Sequence, residues 1–246
     1  MSSLSSSAYW SLSLYPEAGE AGGCFVSSRR ASTGGFYESA AVDPLRARAE
    51  AARRARGKVR RYCTANRLTR LGTLTYAGAG CHDERLVRAH IAEFFRALRT
   101  DLGGKPFAYL WVPEWHKTDH GLHLHFGVGQ YIKRSRIERA WGRGFVHIKL
   151  LSDLPVGSGT LGEARRTAGY LGKYVGKDFA RPEGSRLHRY EIAQGFRPAV
   201  IGLRDRTANA VLYQAMALMG REPARHWSSD QAEDWKGSPA VWVAWD

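Results

Sequence analysis

Residues 120–129 read HGLHLHFGVG, and the placing of this stretch decides the fold. As an extended strand it alternates its side chains between two faces. Leu122, Leu124, Phe126 and Val128 then share one face, suited to a core, and Gly121, His123, His125, Gly127 and Gly129 share the other. The second face carries two imidazoles among residues without side chains. It is therefore expected to be open, with the two rings close enough to share one ion. The competing reading is a pair of buried structural histidines satisfied by hydrogen bonds.

Regular segments flank the histidine strand. LGTLTYA (71–77) has the composition of a strand and stops at the glycines of AGAG. Asp83 is placed to cap the helix ERLVRAHIAEFFRALRTDL, in which Val87, Ile91, Phe94 and Leu98 recur at helical spacing before Gly103 and Gly104. KPFAYLWV (105–112) is a second strand, PEWHKTDHG a connection, and LHLHFGVG the third strand. KRSRIERAWGRG is a short helix, FVHIKLL (145–151) a strand, and TLGEARRTAGYLGKYVGKDF a final helix. The order strand, helix, strand, strand, helix, strand predicts an α+β domain of the split βαβ or ferredoxin-like kind, mostly antiparallel with its helices on one face. We expect an arm without regular structure over residues 1–43, where Ser, Gly and Ala dominate, and the domain itself over 44–182. An extension of unassigned role follows over 183–246, where TANAVLYQAMALM predicts one more helix and the tryptophan-rich end shows no usable period.

The charge narrows the partners. Among 246 residues, Lys and Arg number 37 against 23 Asp and Glu, a net charge of +14 with a pI near 10. A surplus of this size favours a polyanion such as nucleic acid. Part of it is concentrated in the helical stretch PLRARAEAARRARGKVRRYCTANRLTR, at Arg53, Arg54, Arg56, Lys58, Arg60 and Arg61. These residues suit phosphate contact as well as a solvated helix face. Cys24, Cys63 and Cys81 form no CxxC pair, which argues against a disulfide framework or a cysteine-rich zinc site and fits a reducing compartment. No stretch has the length of a membrane span, and the first residues lack the basic start of a secretory signal.

Two more groups bear on chemistry. A hard divalent ion held by His123 and His125 calls for a carboxylate as well. Glu114 lies just past the preceding strand, with Asp119, His116 and His120 as competitors, and alternation through Pro113 leaves its direction open. On the last helix Tyr170, Lys173, Tyr174 and Lys177 fall on one stripe. Gly172 and Gly176 weaken that helix by roughly 1 kcal/mol each relative to alanine. Tyrosines packed on the core beside solvated lysines would give the same pattern. A phenol is a poor nucleophile at its ordinary pKa, but a nearby ammonium favours phenolate and a metal polarises a phosphate under attack.

With these pieces in order, the chain resembles the HUH endonucleases, and among them the rolling-circle replication initiators of bacterial plasmids and phages. LGTLTY (71–76) is similar to the family's first strand motif, His123-Leu124-His125 to its His-hydrophobe-His motif, and YLGKYVGKD (170–178) to its Tyr-x-x-Lys motif. The resemblance spans roughly residues 60–180. It implies a ferredoxin-like sheet, with His123, His125 and Glu114 holding Mg²⁺ or Mn²⁺ against the scissile phosphate. It implies a tyrosine that nicks single-stranded DNA and stays bound through a 5′-phosphotyrosine bond, leaving a 3′-OH that primes synthesis, with Lys177 or Lys173 orienting the phosphate. Both tyrosines fit. KYVGKD resembles single-tyrosine plasmid initiators, which favours Tyr174, and YLGKYVGK resembles phage initiators with two alternating nucleophiles, which gives Tyr170 a second or helping role. The implied setting is a hairpin origin in the bacterial cytoplasm. In the absence of a GxxxxGK[ST] motif, a host helicase would unwind the duplex for a host polymerase.

Three rival readings stand beside this one. A histidine-triad hydrolase needs a third histidine where Gly127 stands. A relaxase or transposase would use the same chemistry for another task. A non-catalytic ferredoxin-like module would bind nucleic acid by stacking bases on residues such as Tyr109 and Trp111.

Overall fold

The computed structural model describes residues 8–27, 44–149, 159–175, 188–233 and 235–246. In chain order its elements are β1 (Tyr9–Tyr15), β2 (Glu20–Val26), α1 (Pro44–Ala65), β3 (Arg70–Tyr76), α2 (Glu84–Asp101), β4 (Tyr109–Trp115), β5 (Leu122–Val128), α3 (Arg134–Trp141), β6 (Gly144–Lys149), α4 (Gly159–Val175), β7 (Glu191–Ile192), β8 (Ile201–Asp205), α5 (Ala208–Met219), β9 (Arg225–Ser228) and β10 (Ala240–Ala244). They form two compact units, Asp43–Arg197 and Met1–Val42 with Pro198–Asp246.

The larger unit holds an antiparallel sheet in the order β6-β3-β5-β4-β7. Its first four strands, joined through α2 and α3, have the split βαβ topology expected from the sequence. One face is apolar throughout. Leu74, Leu122, Leu124, Phe126, Val128 and Val146 meet Val87, Ile91, Phe94 and Leu98 of α2 and Trp141 of α3. The helix α2 starts where Asp83 accepts hydrogen bonds from the Arg85 and Leu86 amides, and its buried positions recur every three or four residues. Phe94 touches Phe95, Phe126 and Trp141 edge-on, at centroid distances of 4.9 to 6.1 Å. The Trp141 indole donates to the Thr75 carbonyl and fixes α3 on β3.

The expectation of helices on one face holds for α2 and α3 and needs correction for the whole unit. Helices α1 and α4 cover the opposite face, where Val59, Tyr62, Leu71, Leu110, Val112, Ala168, Leu171 and Val175 form a second core. The cover explains the glycines that the sequence suggested were clearing space. A Cβ on Gly127 would stand 3.2 Å from Leu171 and 3.4 Å from Thr167, so this glycine lets α4 lie close on β5. One on Gly129 would press on the Asn66 carbonyl. Gly121 has φ +75° and backs onto the Cys81 carbonyl.

The smaller unit corrects two further expectations. Residues 9–26 are not an arm without regular structure. They form a hairpin inside a sheet of order β8-β1-β2-β10-β9, with the segment after 198 supplying the other three strands and α5. Leu12 and Leu14 alternate with serines on β1, and Val241 and Val243 alternate along β10. These four residues pack with Ala21, Val211, Ala215 and Trp245 in a core of their own. Cys24, Cys63 and Cys81 are free thiols. Among the described residues no helix is long and apolar enough to cross a membrane.

Gly127→Val tests the close seating of α4. Overpacking of this kind costs about 1–3 kcal/mol, so the urea midpoint is expected to drop; an unchanged midpoint would show that Gly127 does not limit how α4 approaches β5.

Candidate active site

The site lies where the second sheet face turns from apolar to polar. At one end Leu71, Leu110 and Val112 sit beneath α1 and α4. Beyond them Thr73 and Thr75 of β3, His123 and His125 of β5 and Glu114 of β4 share the same face. Strand β4 continues through Pro113, and Glu114 pairs in register with His123, which settles the direction that alternation left open.

His125 is buried, and both its nitrogens are occupied. Nδ1 lies 2.9 Å from the Thr73 hydroxyl and Nε2 lies 2.7 Å from the Glu114 carboxylate. In the neutral ring Nε2–H donates to the carboxylate and Nδ1 accepts from threonine. His123 repeats part of this arrangement, with Nδ1 3.5 Å from the Thr75 hydroxyl. The T-x-T of β3 thus matches the H-x-H of β5, one threonine behind each imidazole, and the sequence reading did not single out either threonine. The two rings are nearly parallel, 27° apart, with centroids at 6.0 Å. Burial and the neighbouring His116 and His125 imidazoles push the His123 pKa down to about 4 against the pull of Glu114. It is therefore neutral at pH 7, the form a metal requires.

The competing donors have other partners. His116 lies against His123 at 4.4 Å between centroids and bonds Thr118 through Nδ1. His120 Nε2 donates to the Tyr76 carbonyl. Asp119 is exposed and pairs with His82 at 3.2 Å. Glu114 is thus the carboxylate brought onto the histidine pair. Among the described residues no three His, Cys, Asp or Glu side chains already surround one point.

The helix α4 delivers both tyrosines to this place. The Tyr174 ring stacks on His125 at 3.8 Å and 17°, whereas Tyr170 meets the same imidazole edge-on at 6.0 Å. The Tyr174 hydroxyl donates to the Tyr170 hydroxyl at 2.8 Å. Burial, that hydrogen bond and the nearby Glu114 charge push the Tyr174 pKa upward, so the phenol is protonated at neutral pH. Lys173 is exposed, and Lys177 lies outside the described residues. A cation that the sequence reading missed, Lys149 of β6, stands 4.7 Å over the Tyr170 ring. The alternation of FVHIK carried the signal, but only the pairing of Leu71 with Lys149 shows which face it serves.

The basic stretch is the exposed side of α1. Arg53, Arg54, Arg56 and Lys58 are exposed, and Arg60 and Arg61 are half-buried. Arg56 lies along α4, where a Cβ on Gly172 would meet its stem at 3.8 Å. The charge surplus belongs to the larger unit, which has 30 Lys and Arg against 14 Asp and Glu; the smaller has 7 against 9. The stacking residues of the binding-module reading are not available. Trp111 is buried, and Tyr109 lies flat on Phe95 at 3.6 Å.

Residues 69–179 match the model of a family of replication-associated proteins of the ORF2 type. The matched segment runs from the start of β3 past α4, and so spans the threonines, the histidine pair, Glu114 and both tyrosines. Neither the curated proteins nor the solved structures yield a match. The similarity supports a protein of the replication-initiator type acting on DNA.

Proposed function

We propose that the chain is a rolling-circle replication initiator that nicks and rejoins single-stranded DNA at an origin through a covalent 5′-phosphotyrosine. The observation that carries this reading is the Tyr174 ring stacked at 3.8 Å on His125, whose Nε2 holds Glu114. It brings a nucleophile, two neutral imidazoles and a carboxylate to one polar patch of a strongly basic unit.

The donor set suits a hard divalent ion, since both imidazoles turn Nδ1 toward threonine hydroxyls and Glu114 adds a carboxylate. His123, His125 and Glu114 would hold Mg²⁺ or Mn²⁺, which when bound polarises the scissile phosphate. The chain's own groups do the rest. Tyr174 Oη bonds to phosphorus, the P–O3′ bond breaks, and its electron pair leaves on O3′, which takes a proton to become a free 3′-OH. The Tyr170 hydroxyl already accepts the Tyr174 proton in a hydrogen bond and is first in line to receive it. Lys149 beside Tyr170 lowers the cost of negative charge there, a part that Lys173 and Lys177 share in this reading. Because a phosphodiester is exchanged for a phosphodiester, the 3′-OH can reverse the step and rejoin the strand. A host helicase and polymerase would supply unwinding and synthesis.

Incubated with labelled single-stranded origin DNA and Mn²⁺, the protein is expected to form an adduct on a denaturing gel that EDTA abolishes. Tyr174→Phe removes the adduct, and Tyr170→Phe slows its formation. If the two variants exchange behaviour, Tyr170 is the principal nucleophile; if both together leave cleavage intact, the tyrosine mechanism is wrong. Binding without any cleavage would leave a nucleic-acid-binding module.

The exposed side of α1 is assigned to the DNA backbone. Replacing Arg53, Arg54 and Arg56 with alanine is expected to weaken single-strand binding and reduce the slope of log affinity against log salt by roughly 2, about 0.7 for each phosphate that is no longer neutralised. An unchanged slope would remove α1 from the interface.

A further inference from the structure

The edge strand β6 carries side chains on the site face for which the proposed chemistry has only partial use. Phe145 pairs in register with Thr75, the threonine behind His123, and His147 pairs with Thr73, behind His125. Lys149 follows at the same two-residue period and reaches the Tyr170 ring. All three are exposed, Phe145 to 70%. A single exposed phenylalanine needs no explanation on an ordinary surface. This one stands on a polar, functional face and leads a run of aromatic, imidazole and ammonium groups beside the histidines. Neighbouring strands lie about 4.8 Å apart, so Phe145, two strands from His123, is roughly 10 Å from it.

We propose that Phe145 is a stacking residue for a base of the DNA strand bound at the site, with His147 and Lys149 continuing the same track along β6. The inference rests on the reading of the site as one for single-stranded DNA. Three observations favour that occupant over an apolar partner: the track is continuous with the histidine–tyrosine patch, the unit carries the whole charge surplus, and an ammonium lies two positions beyond the imidazole. Every base offers a π-face, so one ring here serves any sequence and sets position rather than identity. Phe145 acts by holding a base beside the reacting phosphate, and takes no part in the bond changes.

The test uses the full chain, a fluorescein-labelled thymidine 20-mer, and EDTA so that binding is read without cleavage. Phe145→Ala and Phe145→Leu are each expected to lose roughly tenfold in affinity, Leu keeping apolar bulk but not the ring. Phe145→Trp should keep wild-type affinity, and its added emission should be quenched when the oligonucleotide binds. Because the side chain is exposed, melting temperatures should be unchanged. Wild-type affinity in the Ala and Leu variants, or Trp emission indifferent to the oligonucleotide, overturns the inference and leaves the nicking reading standing. A wild-type chain that binds no single-stranded DNA overturns both.

Discussion

The imidazole of His125 joins four elements at one point. Its own strand β5 carries it, Thr73 of β3 bonds one nitrogen, Glu114 of β4 bonds the other, and Tyr174 of α4 covers its face. A buried imidazole with one unsatisfied nitrogen would be costly, so register, strand extension and helix seating must agree for this side chain to be tolerated. Register puts Thr73 and Val112 opposite it. Extension of β4 through Pro113 brings Glu114 within reach. Gly127, two residues on, leaves Leu171 room to approach, and so sets how near Tyr174 comes. The same contacts that stabilise the sheet therefore hold the proposed nucleophile against the proposed metal ligands.

Much of this was legible in the sequence because the informative patterns were local. The alternation of LHLHFGV placed the histidines on one face, and the spacing of Val87, Ile91, Phe94 and Leu98 placed α2. The order of strands and helices gave the split βαβ core. Glu114 could not be oriented, because nothing local says whether a strand continues through proline. The glycines misled: they looked like cleared space, and the contacts that explain Gly127 and Gly129 come from Leu171 and Thr167 on α4 and from Asn66, far along the chain. Thr73, Thr75 and Lys149 went unnoticed because their significance lies in cross-strand register, which no single segment contains.

The smaller unit shows the same limit more strongly. The alternation in YWSLSLY was present, but a composition rich in serine and glycine outweighed it. Its partners on either side, Ile201–Asp205 and Ala240–Ala244, lie near the other end of the chain. Charge does not join the two units in one task. The larger carries the surplus of Lys and Arg and the smaller has slightly more acid than base, so attraction to a polyanion belongs to the unit that holds the histidines and tyrosines.

The central claim is that Tyr174 forms the covalent bond to DNA at this patch. It is tested most directly by digesting the protein–DNA adduct and locating the retained nucleotide by mass spectrometry. The account predicts a 5′-phosphonucleotide on the phenol oxygen of Tyr174. A nucleotide attached away from Tyr170 and Tyr174, or origin DNA cleaved with no covalent attachment, would contradict it.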